Sequence, residues 1–254
     1  FFLPKEQKII AGNLYSICRY FDNIADKDNE DKSKFLEDSI ENIKNDKKNI
    51  VNIFLHKNHI NNSIFIDLLE GLIIDQNKTL IQNKKELIKY SYHVAGTVGL
   101  MMSKIIGVKN KKAASCAIDL GIAMQLTNIA RDVFEDAQMQ RIYIPQEWIP
   151  EIDLPMLSGN TKISFYQEKI ITNGIYNLID LAEKFYSNGF SGMNYIPLKA
   201  RLGIYVAANI YRGIGTKIKK SGNKSLRNRI YLNIFEKIYI TLITLLSFIV
   251  LPFL

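Results

Sequence analysis

At 254 residues, 47% of them hydrophobic, with 6 Pro and 14 Gly, the chain is long enough for one large domain and lacks the composition of a disordered or loop-rich protein. The formal net charge of +8 admits nucleic acid, but the basic residues are dispersed and no helix-turn-helix, finger or aromatic-sheet pattern accompanies them, so no nucleic-acid partner is expected. An anionic ligand or an anionic membrane surface accounts for the sign equally well.

The pattern predicts helices nearly throughout. Pro4 opens one that runs to about Ala25, and the polar segment Asp26–Lys34 ends it. A second covers about Phe35–Asn45. The Asn- and Lys-rich stretch Asn45–Asn62 reads as solvated, and its His56 and His59 have no carboxylate or Cys at ligand spacing. Ile64–Asp75 and Lys84–Ile106 are the next two helices. Gly96 and Gly99 lie inside the latter, where each costs about 1 kcal/mol relative to Ala, so close helix packing or space for a bulky chain is expected there. A helix through Asp119 follows. Pro150 and Pro155 predict an irregular Trp148–Asn160 segment, and Phe165–Phe190 and Pro197–Lys220 resume helical periodicity.

Ile238–Leu254 carries no charge, falls just short of the roughly 20 residues that span a bilayer, and follows a run of basic residues from Lys217 to Lys237. The chain therefore divides into a body, 1–237, and a hydrophobic terminal helix, 238–254, which is either a core helix or a membrane-associating tail. Cys18 and Cys116 have no partner spacing and fit a reducing cytoplasm. The chain opens without Met or a secretory signal, which predicts a sequence that starts inside a longer one.

Polar residues that reach a ligand cluster on two helices. Gln125, Asn128, Asp132 and Asp136 stand at steps of three, four and four, on one helical face. Upstream, Asp22 and Asp26 repeat the one-turn spacing, with Arg19 and Tyr15 on the same side. Either Asp-x-x-x-Asp alone reads equally well as a solvated face. Two of them, with Arg19 and Arg131 beside them, read as facing carboxylate pairs that hold Mg²⁺ (Mn²⁺ as a substitute) and through it a diphosphate.

Tyr90-Ser-Tyr-His-Val-Ala-Gly-Thr-Val-Gly-Leu-Met-Met102, Gln125-Leu-Thr-Asn-Ile-Ala-Arg-Asp-Val-Phe-Glu-Asp136 and Arg141-Ile-Tyr-Ile-Pro145 together resemble the squalene/phytoene synthase family, most closely its bacterial phytoene synthases. The resemblance runs from Leu3 to about Arg229. It implies an all-α isoprenoid synthase fold whose central cavity is flanked by the two Asp-rich helices. It also implies head-to-head (1′-1) condensation of two geranylgeranyl diphosphates, through prephytoene diphosphate, to phytoene, the first committed step of carotenoid biosynthesis. No nicotinamide is needed. The alternatives are a C30 squalene or dehydrosqualene synthase using farnesyl diphosphate, and a non-catalytic assembly factor.

By the same resemblance Asp22, Asp26, Asp132 and Asp136 hold metal and Tyr90 stands beside the reacting carbons. Arg19, Gln125, Asn128, Arg131, Tyr211 and Arg229 contact substrate. Gly71 and Asp75 match a Gly-x-x-x-Asp pattern, while Asn23, Lys27 and His93 depart from the family's wording. The expected setting is a cytoplasmic protein, monomeric or weakly self-associating, peripheral at the inner face of a membrane. Asp132→Ala is expected to abolish turnover with little loss of fold, by relief of like-charge repulsion.

Overall fold

The computed structural model describes residues 3–25, 32–76, 79–222, 226 and 229–250, with residues 249 and 250 described by backbone alone. Asp26 and Lys27, from the first acidic motif, lie outside the described residues. The helices are α1 (Lys5–Ala25), α2 (Lys32–Asn45), α3 (Ile50–Lys57), α4 (Asn62–Ile74), α5 (Lys84–Ser91), α6 (Thr97–Ile105), α7 (Lys111–Gln138), α8 (Leu154–Leu157), α9 (Phe165–Ser191), α10 (Leu198–Ser221) and α11 (Ile234–Val250). No strand forms among the described residues; a parallel bridge joins Leu80 to Ile142.

Helix α7 is the axis of the fold. It packs against α9 along most of its length, and against α6, α10 and the segment before α6. It is long and apolar enough to cross a membrane, but those helices surround it, so its apolar residues are spent on the protein core. Leu126, Ile129, Ile144, Ile171, Leu178 and Tyr186 are buried around it. A second cluster joins α1–α4 to α6 through Leu14, Leu36, Leu55, Phe65, Leu69 and Met101.

Several elements differ from the sequence reading. The stretch expected to be solvated between Asn45 and Asn62 contains α3. Asn49 caps it by accepting from Val51 N at 2.9 Å, and Val51 and Leu55 reach the core. Buried Asn52 donates to the carbonyls of Ile43 (2.8 Å) and Asp46 (2.6 Å), satisfying the end of α2. His56 and His59 are exposed, as expected. Pro155 does not break α8; it stands in the first turn, where no backbone donor is needed. The terminal helix begins at Ile234 rather than Ile238.

The single helix expected over Lys84–Ile106 is three pieces, because Tyr92–Gly96 forms a π turn between α5 and α6. A π turn inserts one residue and rotates everything beyond it. Here the buried His93 ring sets Nδ1 2.8 Å from the Asp67 carbonyl, and the Tyr92 hydroxyl donates to Asp67 Oδ2 at 2.6 Å. Both contacts tie the turn to α4.

The glycines do the packing work. A Cβ on Gly99 would lie 2.2 Å from the Ala117 carbonyl oxygen, and one on Gly121 would lie 2.4 Å from that of Ala95. Helix α7 therefore crosses the π turn and α6 backbone to backbone, closer than any side chain permits.

Candidate active site

Two cavities meet along α7. The polar one, of about 620 Å³, is lined by Arg19 and Asp22 from α1, Asp75 at the end of α4, Tyr90 of α5, and Arg131, Asp132 and Asp136 of α7, with Arg141 and Tyr143 beyond. The apolar one, of about 370 Å³, is walled by Val94, Val98, Met102, Gly121, Met124 and Gly189, among others. Val94, Val98, Gln125, Asn128 and Tyr211 line both and form the passage between them. A charged group and a hydrocarbon chain can therefore be held by one molecule bridging the two.

The acidic stripe on α7 is not an ideal helix. Asp132 leaves the helical region (φ −107°, ψ 15°). Consecutive residues on an undistorted helix do not face each other. At this kink Arg131 grips Asp132 in a fork, Nε to Oδ1 at 2.8 Å and Nη2 to Oδ2 at 2.6 Å. Arg229, just before α11, adds Nε at 2.8 Å to the same Oδ1. On α1 the Arg19 guanidinium pairs with Asp22.

Asp132→Ala therefore has two opposed effects: it relieves the repulsion that Asp132 exerts on Asp136, and it strands the guanidinium groups of Arg131 and Arg229. The strained carboxyl is Asp136, which burial, then Asp132, then Asp75 push up to about 8.

Asp75 organises the far wall. Its Oδ2 accepts from the Tyr90 hydroxyl at 2.7 Å and its Oδ1 from the Tyr143 hydroxyl at 2.6 Å. The two rings stack with centroids 4.7 Å apart. Burial, with Asp75 beside both, raises each tyrosine well above its ordinary range, so both stay protonated donors. Arg141 Nε donates to the Asp75 carbonyl at 3.2 Å. Near α1, the Cys18 thiol is pushed up to about 12 by burial and by Asp22, which makes it inert rather than nucleophilic.

Of the residues named from sequence, Asp22, Asp132, Asp136, Tyr90, Arg19, Gln125, Asn128, Arg131 and Tyr211 line the polar cavity, and Arg229 reaches it through Asp132. Asp26 is outside the described residues. Asp75, Arg141 and Tyr143, also in the wall, were not named as site residues. Tyr143 carried a signal in Ile142-Tyr143-Ile144, because in an extended segment Tyr143 points opposite to its two neighbours.

The residues suit a hard divalent cation in kind, since carboxylates are its preferred donors and the half-buried Asp136 carboxyl is pushed up to about 8 by burial and by the carboxylates beside it. Among the described residues no group of three or more His, Cys, Asp or Glu has ligand geometry; the guanidinium groups of Arg19, Arg131 and Arg229 hold the carboxylates instead.

An all-helical body that places paired carboxylates at the mouth of an apolar cavity defines a class, and the comparisons give it a family. The squalene/phytoene synthase family model matches residues 1–236, and the chain belongs to that family. It is 35% identical over 173 residues to a phytoene synthase of Pseudescherichia vulneris, covering 68% of this chain and 55% of that protein. To a 15-cis-phytoene synthase of Paracoccus sp. it is 37% identical over 169 residues, covering 65% and 52%. The match thus spans about half the length of these relatives. A crystal structure of a dehydrosqualene synthase in complex with ligand superposes with a TM-score of 0.81 at 28% identity, covering 97% of this chain and 88% of that one. The squalene synthase HpnC from Alicyclobacillus acidocaldarius shares the fold, with a TM-score of 0.73 at 18% identity, over 90% and 88%.

Proposed function

We propose that this chain is a phytoene synthase, joining two geranylgeranyl diphosphates head to head to give phytoene. The observation that carries the reading is the passage at Gln125, Asn128 and Tyr211, which connects an acidic and arginine-lined cavity to an apolar one. The names of the relatives at 35 and 37% identity support it.

In this reading Arg19, Arg131 and Arg229 donate charge-assisted hydrogen bonds to the diphosphate, exchanging their carboxylate partners for phosphate oxygens. Asp22, Asp26, Asp132 and Asp136 would hold Mg²⁺, which when bound neutralises the leaving diphosphate. The C1–O bond of one substrate breaks, and diphosphate departs with the electron pair. The 2,3 double bond of the second substrate attacks C1, and loss of a proton closes a cyclopropane. Departure of the second diphosphate, rearrangement and loss of a second proton give the hydrocarbon. Two diphosphates and two protons leave and no electrons are added, so no nicotinamide is needed. Tyr90 and Tyr143, held neutral against Asp75, present π faces at this end of the cavity, where a cation gains about 0.5–2 kcal/mol per good contact.

A second reading, a dehydrosqualene synthase acting on farnesyl diphosphate, is favoured by the superposition at a TM-score of 0.81. Supplying the purified chain with C15 and C20 diphosphates together and separating the products by chromatography decides between them. Dominance of C30 hydrocarbon overturns the phytoene reading.

We also propose that the protein works on a membrane, at its cytoplasmic face. Helix α11 packs one side on α10, where Ile240 meets Gly213 and Thr244 is buried. Its other side exposes Phe235, Ile238, Tyr239, Leu242 and Leu246, an apolar stripe with Lys237 at its start that suits an interfacial helix. Co-sedimentation with anionic vesicles tests this. Loss of pelleting in Leu242→Ser and Leu246→Ser together is expected; unchanged pelleting refutes the assignment to α11.

A further inference from the structure

We propose that the end of the apolar cavity remote from the carboxylates is a second opening that rests on an anionic lipid bilayer, and that the hydrocarbon product leaves through it. The inference rests on the prenyl diphosphate reading above and adds the route by which product and diphosphate part.

Asp136 and Ala113 stand at opposite ends of α7, about 34 Å apart at 1.5 Å per residue. The first lines the polar cavity and the second the apolar one. At the Ala113 end the apolar cavity reaches the surface. Cys116, in its wall, sets Sγ 3.4 Å from Oγ of the exposed Ser191. A return past Asp132 and Arg131 would bring hydrocarbon against charged groups, and moving it into water costs about 0.8 kcal/mol per CH₂. A lipid phase at the Ala113 end removes that cost.

The rim suits such a phase. Ser103, Val108 and Ala113 line the cavity here, and each has an exposed lysine next to it in the chain: Lys104, Lys109 and Lys112. Lys111 is exposed as well. No acidic residue occurs from Lys104 to Ile118, and none of these four lysines has an ion-pair partner among the described residues. Lys111 and Lys112 open α7, the end at which a helix favours anions, so the helix itself does not account for them. Ile196 packs against the apolar cluster of Ile106, Val108 and Ala113. Beside it Tyr195 and Leu198 are 44% and 64% exposed, with exposed Lys199 next in the chain. Leu3 packs on the same cluster, and the start of α1 adds exposed Lys5 and Lys8 against Glu6. Exposed tyrosine and leucine among lysines form an interfacial surface, and the excess of positive charge selects anionic lipid.

Helix α11 comes to the same face. Its Ile240 meets Gly213 of α10, while Phe248 lies against Tyr205 with ring centroids 6.4 Å apart. The two helices are therefore antiparallel, and exposed Leu246 lies toward the start of α10 and the opening.

The test uses the full chain with Mg²⁺ and vesicles of phosphatidylcholine, with and without phosphatidylglycerol. Lys109→Gln, Lys111→Gln and Lys112→Gln together should weaken partition onto the anionic vesicles about a hundredfold, at about 1 kcal/mol per lysine. Tyr195→Trp should add emission that brominated acyl chains quench, over the baseline of Trp148, the single native tryptophan. Anionic vesicles should raise steady-state turnover about twofold or more by taking up product, without changing the first turnover. The triple variant should lose that stimulation and keep the wild-type first turnover in detergent. Unchanged partition of the triple variant, or no quenching in Tyr195→Trp, would overturn the surface, even if Leu242→Ser with Leu246→Ser released the protein. Equal affinity for RNA without quenching would mark a general polyanion patch and overturn it too. Turnover that vesicles leave unchanged would overturn the exit. A chain inert with every prenyl diphosphate would overturn the prenyl reading and the exit with it, while partition and quenching still decide the surface.

Discussion

Arg229 Nε lies 2.8 Å from Asp132 Oδ1, which ties the segment leading into the terminal helix to the kinked carboxylate of α7. The pair is partly exposed on the arginine side, so its worth to folding is under about 1 kcal/mol. Under the proposed function its worth to substrate is larger, because a guanidinium released from one anion is available to the next. Arg229→Met should therefore leave the thermal midpoint within a degree or two and lower kcat/KM for diphosphate substrate about a hundredfold. A loss of stability that accounts for the whole loss of activity would refute this division.

Asp136 gives the metal-free protein a sign-definite pH dependence. Its folded value, pushed up to about 8, exceeds that of the unfolded chain, 3.8, so between those pH values the folded state binds more protons. Stability in EDTA should then fall as pH rises from 5 to 8. Asp136→Asn should flatten that slope, raise the midpoint at pH 8 and abolish turnover. Chemical denaturation at several pH values is the measurement, and a wild-type slope of the opposite sign contradicts the assignment.

Tyr90 and Tyr143 share one acceptor. Tyr143→Phe removes that donor from the half-buried Asp75 carboxylate, at a cost of about 1 kcal/mol. Because both hydroxyls satisfy the same carboxylate, Tyr90→Phe and Tyr143→Phe should be non-additive, with an interaction energy of about 0.5 kcal/mol or more in a double-mutant cycle. Strict additivity would mean that Asp75 does not join them.

In an open helix Gly→Ala gains about 1 kcal/mol. At Gly99 the added Cβ would meet the Ala117 carbonyl oxygen at 2.2 Å, and backbone cannot move aside cheaply. Gly99→Ala should therefore be destabilising by about 1–3 kcal/mol and should weaken binding of the prenyl chain, since the same crossing walls the apolar cavity. A stabilised variant would show that the helices separate freely.

The fold class and the two acidic helices were legible because helical periodicity and i,i+4 carboxylates are local features. Asp22, Asp132 and Asp136 could be found by counting. The pairing of Asp75 with Tyr143 could not, for 68 residues separate them and nothing local in either announces the other. The kink at Asp132 and the π turn at Tyr92–Gly96 were equally hidden. Both are helix-like in composition, and each is accompanied by a contact distant in sequence: Arg229 on Asp132, and Asp67 on Tyr92 and His93. Helix α3 was missed for a different reason: the Asn- and Lys-rich stretch around it conceals a short segment, Ile50–Lys57, that is itself mostly apolar.

The bridge at Leu80 and Ile142 has a consequence for how the molecule comes to exist. Ile142 N donates to the Thr79 carbonyl at 2.7 Å and Ile81 N to the Ile142 carbonyl at 3.1 Å, and this stitch across some sixty residues brings Tyr143 to Asp75. Helices and neighbouring helix pairs form from contacts close in sequence and form early, whereas contacts of long separation wait until their loop closes. The apolar core around α7 and α9 is thus in place while the acidic wall is still open. The wall that holds Asp75 and Tyr143 is accordingly expected to be the last part of the candidate site to assemble, when these two short extended segments pair.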